Sequence, residues 1–320
     1  MADMRYRPLG DSGLVVSVVG LGCNNLGRPG TRTESVEGGQ AVVDAALDAG
    51  VTLFDVADIY GGSPGLSEEI LGRCLSGHRD DVVLATKFGM DMRGANGPDF
   101  GARGSRRYIR RAVEASLRRL RTDHIDLYQY HQPDGVTPIE ETLAALDELV
   151  REGKVRYLGS SNFAGWQVVE ADYVARAGGG ARFISAQNYY NLLHRGPEAE
   201  LVPACEAYGV GILPFFPLEN GLLTGKFRRD EAPRAGTRIG DAKRDLHMSA
   251  DWDTIEAIRD FATQHDVSML DVSIGGLAAQ PAVTSVIAGA TSPDQIRANV
   301  QAGNWEPGAD ALEALAKITT

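Results

Sequence analysis

The sequence predicts a (β/α)8 barrel with an N-terminal β-hairpin and two extra helices. Short apolar segments alternate eight times with amphipathic helical segments, which is the pattern of a closed barrel of parallel strands. The apolar segments lack a polar face, as expected for parallel strands that are buried on both sides. No linker rich in proline or serine interrupts the pattern, so we expect residues 1–320 to form a single domain.

Local patterns predict the individual elements. Turn residues at Asp11, Ser12 and Gly13 predict the hairpin. Apolar residues at helical spacing predict each helix, and Ser67 is expected to cap the second one. Strands are expected at 18–23, 51–55, 82–86, 125–130, 155–159, 182–187, 210–215 and 283–287. Helices are expected at 35–49, 67–76, 105–120, 138–151, 164–177, 198–207, 252–264, 268–279, 292–301 and 309–317.

The composition is that of an ordinary globular protein, with 43% hydrophobic and 23% charged residues. The net charge of −11 argues against general nucleic-acid binding, because neutralising phosphates requires a basic face. Cys23, Cys74 and Cys205 are odd in number and lack metal-ligand spacing, so we expect reduced thiols in a cytoplasmic protein. A signal peptide and a membrane-spanning segment are not expected, because no apolar run has the required length.

Two expected connections are too long to be simple turns. The first, 87–104, is rich in glycine and carries Arg93 and Arg103. The second, 216–250, carries a cluster of seven basic residues in an acidic protein: Lys226, Arg228, Arg229, Arg234, Arg238, Lys243 and Arg244. Two interpretations of this cluster stay open, a solvated mobile loop and a flap over a bound phosphate ligand.

Four residues suited to proton transfer follow predicted strands. Asp55 ends the second barrel strand and Tyr60 comes five residues later, whereas Lys87 and His131 follow the next two strands. The carboxyl ends of barrel strands are where such folds place their active sites. Each residue has an ordinary alternative role, as a helix cap, a surface ring, a loop ion pair or a core histidine. Together the four favour a catalytic site.

A dinucleotide-binding Rossmann fold is the competing interpretation of the N-terminal region. Gly20 and Gly22 follow a strand, but the third glycine of the fingerprint would fall at Asn25. In this interpretation Asp55 would bind a ribose. It leaves the other three strand-end residues unexplained and predicts an open sheet, so the barrel is favoured.

Eight short motifs occur in order along almost the whole chain. They are Phe54-Asp55-Val-Ala-Asp-Ile-Tyr60-Gly, Glu69-Ile-Leu-Gly72, Ala85-Thr-Lys87-Phe, Tyr128-Gln-Tyr-His131-Gln-Pro-Asp134, Gly159-Ser-Ser-Asn-Phe163, Gln187-Asn-Tyr-Tyr-Asn-Leu192, Leu222-Leu-Thr-Gly-Lys226 and Gly289-Ala-Thr-Ser-Pro-Asp-Gln-Ile-Arg-Ala-Asn299. In this order they resemble the aldo-keto reductase superfamily. The seventh motif resembles the bacterial branch related to the potassium-channel β subunits.

The resemblance implies an oxidoreductase that reduces aldehydes or ketones reversibly with NADPH. Hydride transfer to a carbonyl carbon builds negative charge on the oxygen, which must then be protonated. Tyr60 would be the general acid in reduction and the general base in oxidation. Lys87 would lower the pKa of Tyr60, and Asp55 would hold Lys87 in place. His131 would hydrogen-bond the carbonyl oxygen, and the cofactor would supply the hydride.

The same resemblance implies a cofactor site at the strand ends. Ser161, Asn162 and Gln187 would bind the nicotinamide carboxamide, Phe215 would stack on its ring, and Phe216 replaces a serine common in the family. The full expected set is Gly22, Cys23, Ser161, Asn162, Gln187, Phe215, Phe216, Leu218, Gly221, Leu223, Lys226, Gly289, Thr291, Gln295 and Asn299. Relatives often have Lys or Arg between Gly289 and Gln295. Their absence weakens the preference for a 2′-phosphate, so NADPH is expected with NADH or dual use open.

The substrate is expected to be a small-molecule carbonyl compound, bound among loops that include Asn24, Phe88 and Met90. Its identity, any protein partners and the oligomeric state stay open. Two other functions are considered: an NADP-binding regulatory subunit that senses redox state, and a sugar-phosphate barrel of another family. The intact set of four strand-end residues favours the enzyme over both.

Overall fold

The computed structural model describes residues 4–319, which form a barrel of eight parallel strands preceded by a hairpin. The strands are β1 (Tyr6–Pro8), β2 (Val15–Ser17), β3 (Val19–Gly22), β4 (Leu53–Asp55), β5 (Val83–Phe88), β6 (Ile125–Tyr130), β7 (Val155–Ser161), β8 (Phe183–Gln187), β9 (Gly211–Ile212) and β10 (Val286–Gly289). Neighbouring strands of the barrel follow the order β10-β3-β4-β5-β6-β7-β8-β9. This confirms the predicted fold and excludes the open Rossmann sheet.

Hydrogen bonds between the β9 and β10 segments close the barrel. Ile212 N donates to the Ala282 carbonyl at 2.7 Å, and Ile287 N donates to the Pro214 carbonyl at 2.9 Å. Parallel bridges also pair Phe215 with Ile287. Regular pairing of β9 stops after two residues because Pro214 has no backbone N–H to donate, which is why this strand is shorter than the expected 210–215.

Helices surround the barrel. They are α1 (Val36–Asp48), α2 (Leu66–Cys74), α3 (Arg106–Leu120), α4 (Ile139–Arg151), α5 (Gly165–Gly178), α6 (Leu201–Tyr208), α7 (Arg238–Ala242), α8 (Arg244–Met248), α9 (Trp252–Gln264), α10 (Met269–Ala278), α11 (Pro293–Ala302) and α12 (Ala309–Ile318). None of those within residues 4–319 is long and apolar enough to cross a membrane.

The start of α2 differs from the prediction. Gly65, at a φ of 90°, occupies the cap position, and Ser67 lies inside the helix. The Ser67 hydroxyl donates to the Cys23 carbonyl at 2.7 Å. The helix begins two residues earlier than a cap at Ser67 would allow, because glycine tolerates the left-handed conformation needed at position 65.

The hairpin closes the lower end of the barrel. Leu9 and Val16 are fully buried against interior side chains such as Leu53 and Leu127. Asp11 N donates to the Gly209 carbonyl at 2.7 Å, which ties the turn to the end of α6. Water is thus excluded from this end, and the opposite end, where the strands terminate at their carboxyl sides, remains for a site.

The segment 216–250 packs against helices of the barrel. Leu223, Phe227 and Ile239 are buried in an apolar cluster with α9 and α10. Two short helices, α7 and α8, lie in this stretch, for which no helix is expected from the sequence. The cluster holds the segment near the carboxyl ends of β9 and β10.

Candidate active site

A buried hydrogen-bond network joins the ends of four barrel strands. The Lys87 ammonium, fully buried, donates to Asp55 Oδ2 at 2.6 Å and to the Val56 carbonyl at 3.0 Å. Asp55 Oδ1 accepts hydrogen bonds from the amide nitrogens of Gln129 at 3.0 Å and Gln187 at 2.9 Å. Three donors therefore satisfy the carboxylate inside the barrel, and the charge-assisted bond to Lys87 fixes the ammonium.

Strand alternation explains why these side chains meet. Successive residues of a strand point to opposite faces, and Leu53, Ala85 and Leu127 belong to the interior cluster. The residues two positions further on, Asp55, Lys87 and Gln129, therefore also point inward. Gly159 on β7 makes room for them, since a Cβ there would lie 2.4 Å from Ser185 Oγ and 3.0 Å from Gln129 Cγ.

Tyr60 lies half-buried beside this network. Lys87 Nζ is 5.1 Å from the centre of the Tyr60 ring. Burial raises the pKa of Tyr60, and the Lys87 charge lowers it by less. For Lys87, burial alone would lower the pKa. Asp55 and Tyr60 together outweigh burial, so the pKa of Lys87 is raised. Lys87 therefore acts on the pKa of the phenol in the expected direction, but less strongly than burial does. At neutral pH the phenol is protonated and the amine is charged.

His131 faces Tyr60 from the end of β6. The two rings meet edge to face, with centres 5.8 Å apart and planes at 87°. Nδ1 of His131 is buried and has no hydrogen-bond partner within residues 4–319. Burial, with the Lys87 charge second, lowers the pKa of His131 to about 3. The imidazole is therefore neutral at physiological pH and carries one N–H.

One expected pocket residue does not line a pocket. Phe88 is fully buried and stacks between Tyr128 and Tyr130, with ring centres 4.8 and 5.1 Å away. The prediction for Phe88 is wrong because Lys87 points into the barrel, so the next residue of β5 points outward into the core. Asn24 and Met90 are half-buried in the loops after β3 and β5.

Ser161 and Asn162 present unused hydrogen-bonding groups. Asn162 adopts a φ of 58°, a left-handed conformation that asparagine tolerates. Its Nδ2 donates to the His131 carbonyl at 2.9 Å and to Ser161 Oγ at 3.1 Å. Within residues 4–319, Asn162 Oδ1 and the Ser161 hydroxyl proton have no hydrogen-bond partner. An acceptor beside a donor suits a carboxamide, because a carboxamide both donates and accepts. The Gln187 amide nitrogen is engaged with Asp55.

Aromatic rings line the mouth after β9. Phe215 stacks in an offset arrangement on Tyr189, with centres 5.7 Å apart, and Tyr189 in turn stacks on His194. Phe216 meets Phe215 edge-on at 5.2 Å. Phe216 has a φ of 53°, which is rare for a bulky residue. Its carbonyl accepts a hydrogen bond from Asn191 Nδ2 at 2.9 Å, which helps to hold this conformation.

Arg238, from the basic segment, lies over the Phe216 ring at 5.2 Å. Burial, and then the positive charge of Arg28, lower the pKa of Arg238 to about 10. Neither guanidinium forms an ion pair with a carboxylate among residues 4–319. The charge of Glu219 acts on the pKa of Arg238 in the opposite direction to Arg28. Two neighbouring guanidinium groups that lack an ion pair within residues 4–319 favour the binding of an anion. Arg229, by contrast, is paired with acidic residues of α9.

The turn between Leu218 and Lys226 carries four residues of the expected cofactor set, which are Leu218, Gly221, Leu223 and Lys226. The N–H groups of Gly221 and Leu223 both donate to the Leu218 carbonyl, at 2.8 and 3.2 Å, so they are not free for a phosphate. Asn220 Oδ1 is buried without a hydrogen-bond partner within residues 4–319. Lys226 is exposed.

Two glycines of the expected cofactor set lie side by side in β3 and β10. Gly22 and Gly289 are direct partners in the sheet, and a Cβ on Gly289 would lie 3.0 Å from Asn25 Nδ2. Glycine at position 289 therefore makes room for the Asn25 side chain. Cys23, next to Gly22, is buried with its thiol directed at the Leu21 carbonyl, and burial raises its pKa.

Polar groups at and before the N-terminal end of α11 form hydrogen bonds within the same segment. Thr291 N and Oγ1 donate to Gln295 Oε1 at 2.7 and 3.0 Å. Asn299 is buried and its Nδ2 donates to the Gly289 carbonyl at 3.4 Å. The nearby exposed Arg297 is paired with Asp294 at 3.2 Å.

Sequence reasoning missed Gln129, Arg28 and the stacking position of Arg238. Gln129 could have been found by alternation, since it precedes His131 by two residues and follows the apolar Leu127 by two. No local signal identifies Arg28 and Arg238 as neighbours, because they lie about 200 residues apart in the sequence.

Comparison with known proteins identifies the family. The family model described as "Aldo/keto reductase family" matches residues 18–319. The chain belongs to the aldo/keto reductase family. Oxidoreductase YrpG of Bacillus subtilis, named as uncharacterized, is 37% identical over 93% of this chain and 91% of its own. L-glyceraldehyde 3-phosphate reductase of Escherichia coli K12 is 33% identical over 94% and 88%. A probable voltage-gated potassium channel subunit beta of rice (Oryza sativa) is 35% identical over 93% and 91%.

Membership of the aldo/keto reductase family confirms the resemblance read from the motifs, including the likeness to channel β subunits. The protein is therefore an oxidoreductase of the carbonyl-reducing class. A nicotinamide cofactor is general in this family. The hydrogen-bonding groups of Ser161 and Asn162 and the flat Phe215 ring are of the kind that such a cofactor would use.

Proposed function

We propose that this aldo/keto reductase reduces aldehydes or ketones to alcohols with NADPH, and that Tyr60 is the general acid. The observation that carries the proposal is the Asp55–Lys87 pair, buried at 2.6 Å, with Tyr60 and His131 beside it. A protonated phenol, a fixed ammonium and a neutral imidazole N–H together surround the place where a carbonyl oxygen would develop negative charge.

The roles of the chain's own residues follow from their protonation states. Tyr60 holds a proton throughout the neutral range and gives it to the carbonyl oxygen during reduction. Lys87 stabilises the phenolate that remains, because its ammonium is held charged by Asp55. The N–H of His131 orients the carbonyl oxygen.

Residues of the mouth would hold the cofactor. Ser161 and Asn162 would bind the carboxamide, and the Phe215 ring would stack on the nicotinamide. Arg28 and Arg238 would meet a phosphate group. When bound, the reduced nicotinamide supplies the hydride. NADPH is proposed over NADH because the resemblance to the family favours NADPH. In this chain, however, Thr291 N already donates to Gln295, and Arg297 is paired with Asp294.

The neutral state of His131 gives a test by pH. Its pKa in the folded protein is about 3, below the ordinary value near 6.5. Between these values the unfolded chain binds a proton that the folded chain does not, so stability falls as the pH is lowered from about 6.5 toward 3. We expect His131→Gln to remove part of this fall. Chemical denaturation of both proteins at several pH values in this window measures the effect, and equal slopes would contradict it.

The proposed function is tested by cofactor oxidation. The protein is mixed with an aromatic aldehyde or methylglyoxal and either NADPH or NADH, and kcat/KM is measured for each. Turnover with NADPH at the higher kcat/KM supports the proposal. Turnover favouring NADH overturns the cofactor assignment alone. Tight cofactor binding without turnover overturns the enzymatic proposal and favours the regulatory alternative.

A further inference from the structure

A second buried polar cluster lies on the outer side of β4 and β5, behind the Asp55–Lys87 pair. Thr86 precedes Lys87 in β5, so its side chain points away from the barrel interior. Thr86 Oγ1 donates to Glu68 Oε1 at 2.5 Å, and Arg119 Nε donates to Glu68 Oε2 at 2.7 Å. Glu68 is fully buried, and both of its oxygens are satisfied.

Asp58 enters this cluster from the segment between Asp55 and Tyr60. It is fully buried, and its N–H donates to the Lys87 carbonyl at 3.1 Å. Its Oδ2 accepts a hydrogen bond from Asn96 Nδ2 at 3.2 Å. Its Oδ1 has no hydrogen-bond partner within residues 4–319. The carboxyl group thus belongs to the chain segment that carries Tyr60, and Asn96 is the side chain that donates to it.

The charges of the cluster leave Asp58 without an ion pair. Two carboxyl groups, Asp58 and Glu68, share one guanidinium group, and Arg119 is bonded to Glu68. Burial, and then the Glu68 charge, raise the pKa of Asp58 well above its usual range, although Arg119, Asn96 and the Ile59 N–H act in the opposite direction. The Asn96 amide is therefore the hydrogen-bond donor that holds the Asp58 side chain in this cluster.

Asn96 is inserted into the cluster from the long loop after β5. Its side chain is 6% exposed, whereas residues 93–95 and 98 are exposed. Gly94 and Gly97 flank it at φ values of 84°, which turns the backbone so that the side chain points inward. Besides Asp58, Asn96 bonds Tyr108 Oη at 3.4 Å and accepts from Arg119 Nη1 at 3.5 Å.

The loop 89–105 is thereby attached to the molecule at a point directly behind the catalytic segment. Its far end is attached separately, since Gly104 N donates to Asp134 Oδ2 at 2.7 Å. Met90, at the near end, is half-buried at the barrel mouth. Through Asn96 this loop is bonded to Asp58, Tyr108 and Arg119, and the bond to Asp58 connects it to the residue two positions before Tyr60.

We propose that Asp58 and Asn96 are positioning residues, whose hydrogen bond ties the loop 89–105 to the Tyr60 segment and holds the phenol in place for proton transfer. The inference rests on the proposed role of Tyr60. Loss of the bond leaves a buried carboxyl group without its amide donor. The segment then relaxes, and small displacements of a catalytic group cost large factors in rate.

The test uses single-turnover kinetics, because a misplaced Tyr60 lowers the rate constant whereas a loss of folded protein lowers only the amplitude. The protein–NADPH complex is mixed rapidly with a saturating aldehyde, and cofactor oxidation is followed. We expect Asn96→Ala to lower the rate constant about tenfold, with the Kd for NADPH within about twofold of native. Asp58→Asn, which keeps an acceptor for Asn96, should stay within about twofold of native.

Arg93→Gln is the control in the same loop, since Arg93 is exposed and forms no ion pair within residues 4–319, and it should leave the rate constant unchanged. If Asn96→Ala does not fold, Asp58→Ala removes the same bond from the other side. A native rate constant in either variant, or a reduced amplitude alone, overturns the inference. Absence of turnover in the native protein would instead overturn the proposed function.

Discussion

Replacing Tyr60 with phenylalanine is expected to lower carbonyl reduction by about 10²- to 10⁴-fold, the usual contribution of a general acid. In the proposed mechanism the phenol donates its proton beside the fixed Lys87 ammonium, and phenylalanine keeps the ring but removes that proton. The edge contact with His131 needs only the ring. Cofactor affinity should therefore stay close to native, so that kcat falls while the Kd for NADPH is preserved.

The matched control is Tyr6→Phe at the opposite end of the barrel. The Tyr6 hydroxyl donates to the Gly50 carbonyl, and the residue is half exposed on the hairpin. The Tyr6→Phe variant also loses one phenol oxygen, but this oxygen lies far from the barrel mouth. The variant should therefore reduce aldehydes at the native rate. Steady-state rates and fluorescence titration with NADPH for the three proteins give the comparison. Turnover of Tyr60→Phe within about threefold of native would exclude Tyr60 as the acid.

Replacing Lys87 with methionine is expected to affect activity and stability together. Lys87 is fully buried and bonded to Asp55, so its removal leaves a buried carboxylate without a counter-charge. Breaking a buried pair in this way costs about 3–5 kcal/mol of unfolding free energy. Reduction should also become very slow, because the phenolate left by proton transfer loses the adjacent ammonium. Urea denaturation and steady-state kinetics measure the two effects.

Two further variants separate these effects. Asp55→Asn combined with Lys87→Met replaces the charged pair by neutral groups, so stability should largely recover while activity does not. Lys317→Met makes the same substitution at an exposed pair with Glu313 and should change the unfolding free energy by about 0.5 kcal/mol or less. Native activity in Lys87→Met would refute the role of the ammonium, and native stability would refute the electrostatic description of the pair.

The barrel follows from the sequence because its determinants are local. Apolar strands and amphipathic helices recur eight times, and strand alternation alone places Asp55 and Lys87 inside the barrel. The same rule, applied to the neighbour of Lys87, would have placed Phe88 outside, where the structure has it. Ser67 failed as a cap because the glycine at position 65 starts the helix earlier, and a cap signal is only a local preference.

The parts that sequence reasoning missed depend on contacts between distant segments. Asn96 is an ordinary loop residue by its neighbours, and only the folded chain brings its amide to Asp58. Arg28 and Arg238 have no sequence signal in common, yet their charges influence each other across the mouth. The direction of the Tyr60 pKa also depends on how deeply the ring is buried, which the sequence does not specify.

The central claim is that a reduced nicotinamide and the Tyr60 hydroxyl deliver a hydride and a proton to one carbonyl group. The most direct measurement uses an aldehyde and NADPH that carries deuterium at the hydride position, followed by NMR of the alcohol. The account predicts deuterium on the carbinol carbon with native protein and almost none formed by Tyr60→Phe in the same time. Alcohol without deuterium, or equal deuterated alcohol from both proteins, would contradict it.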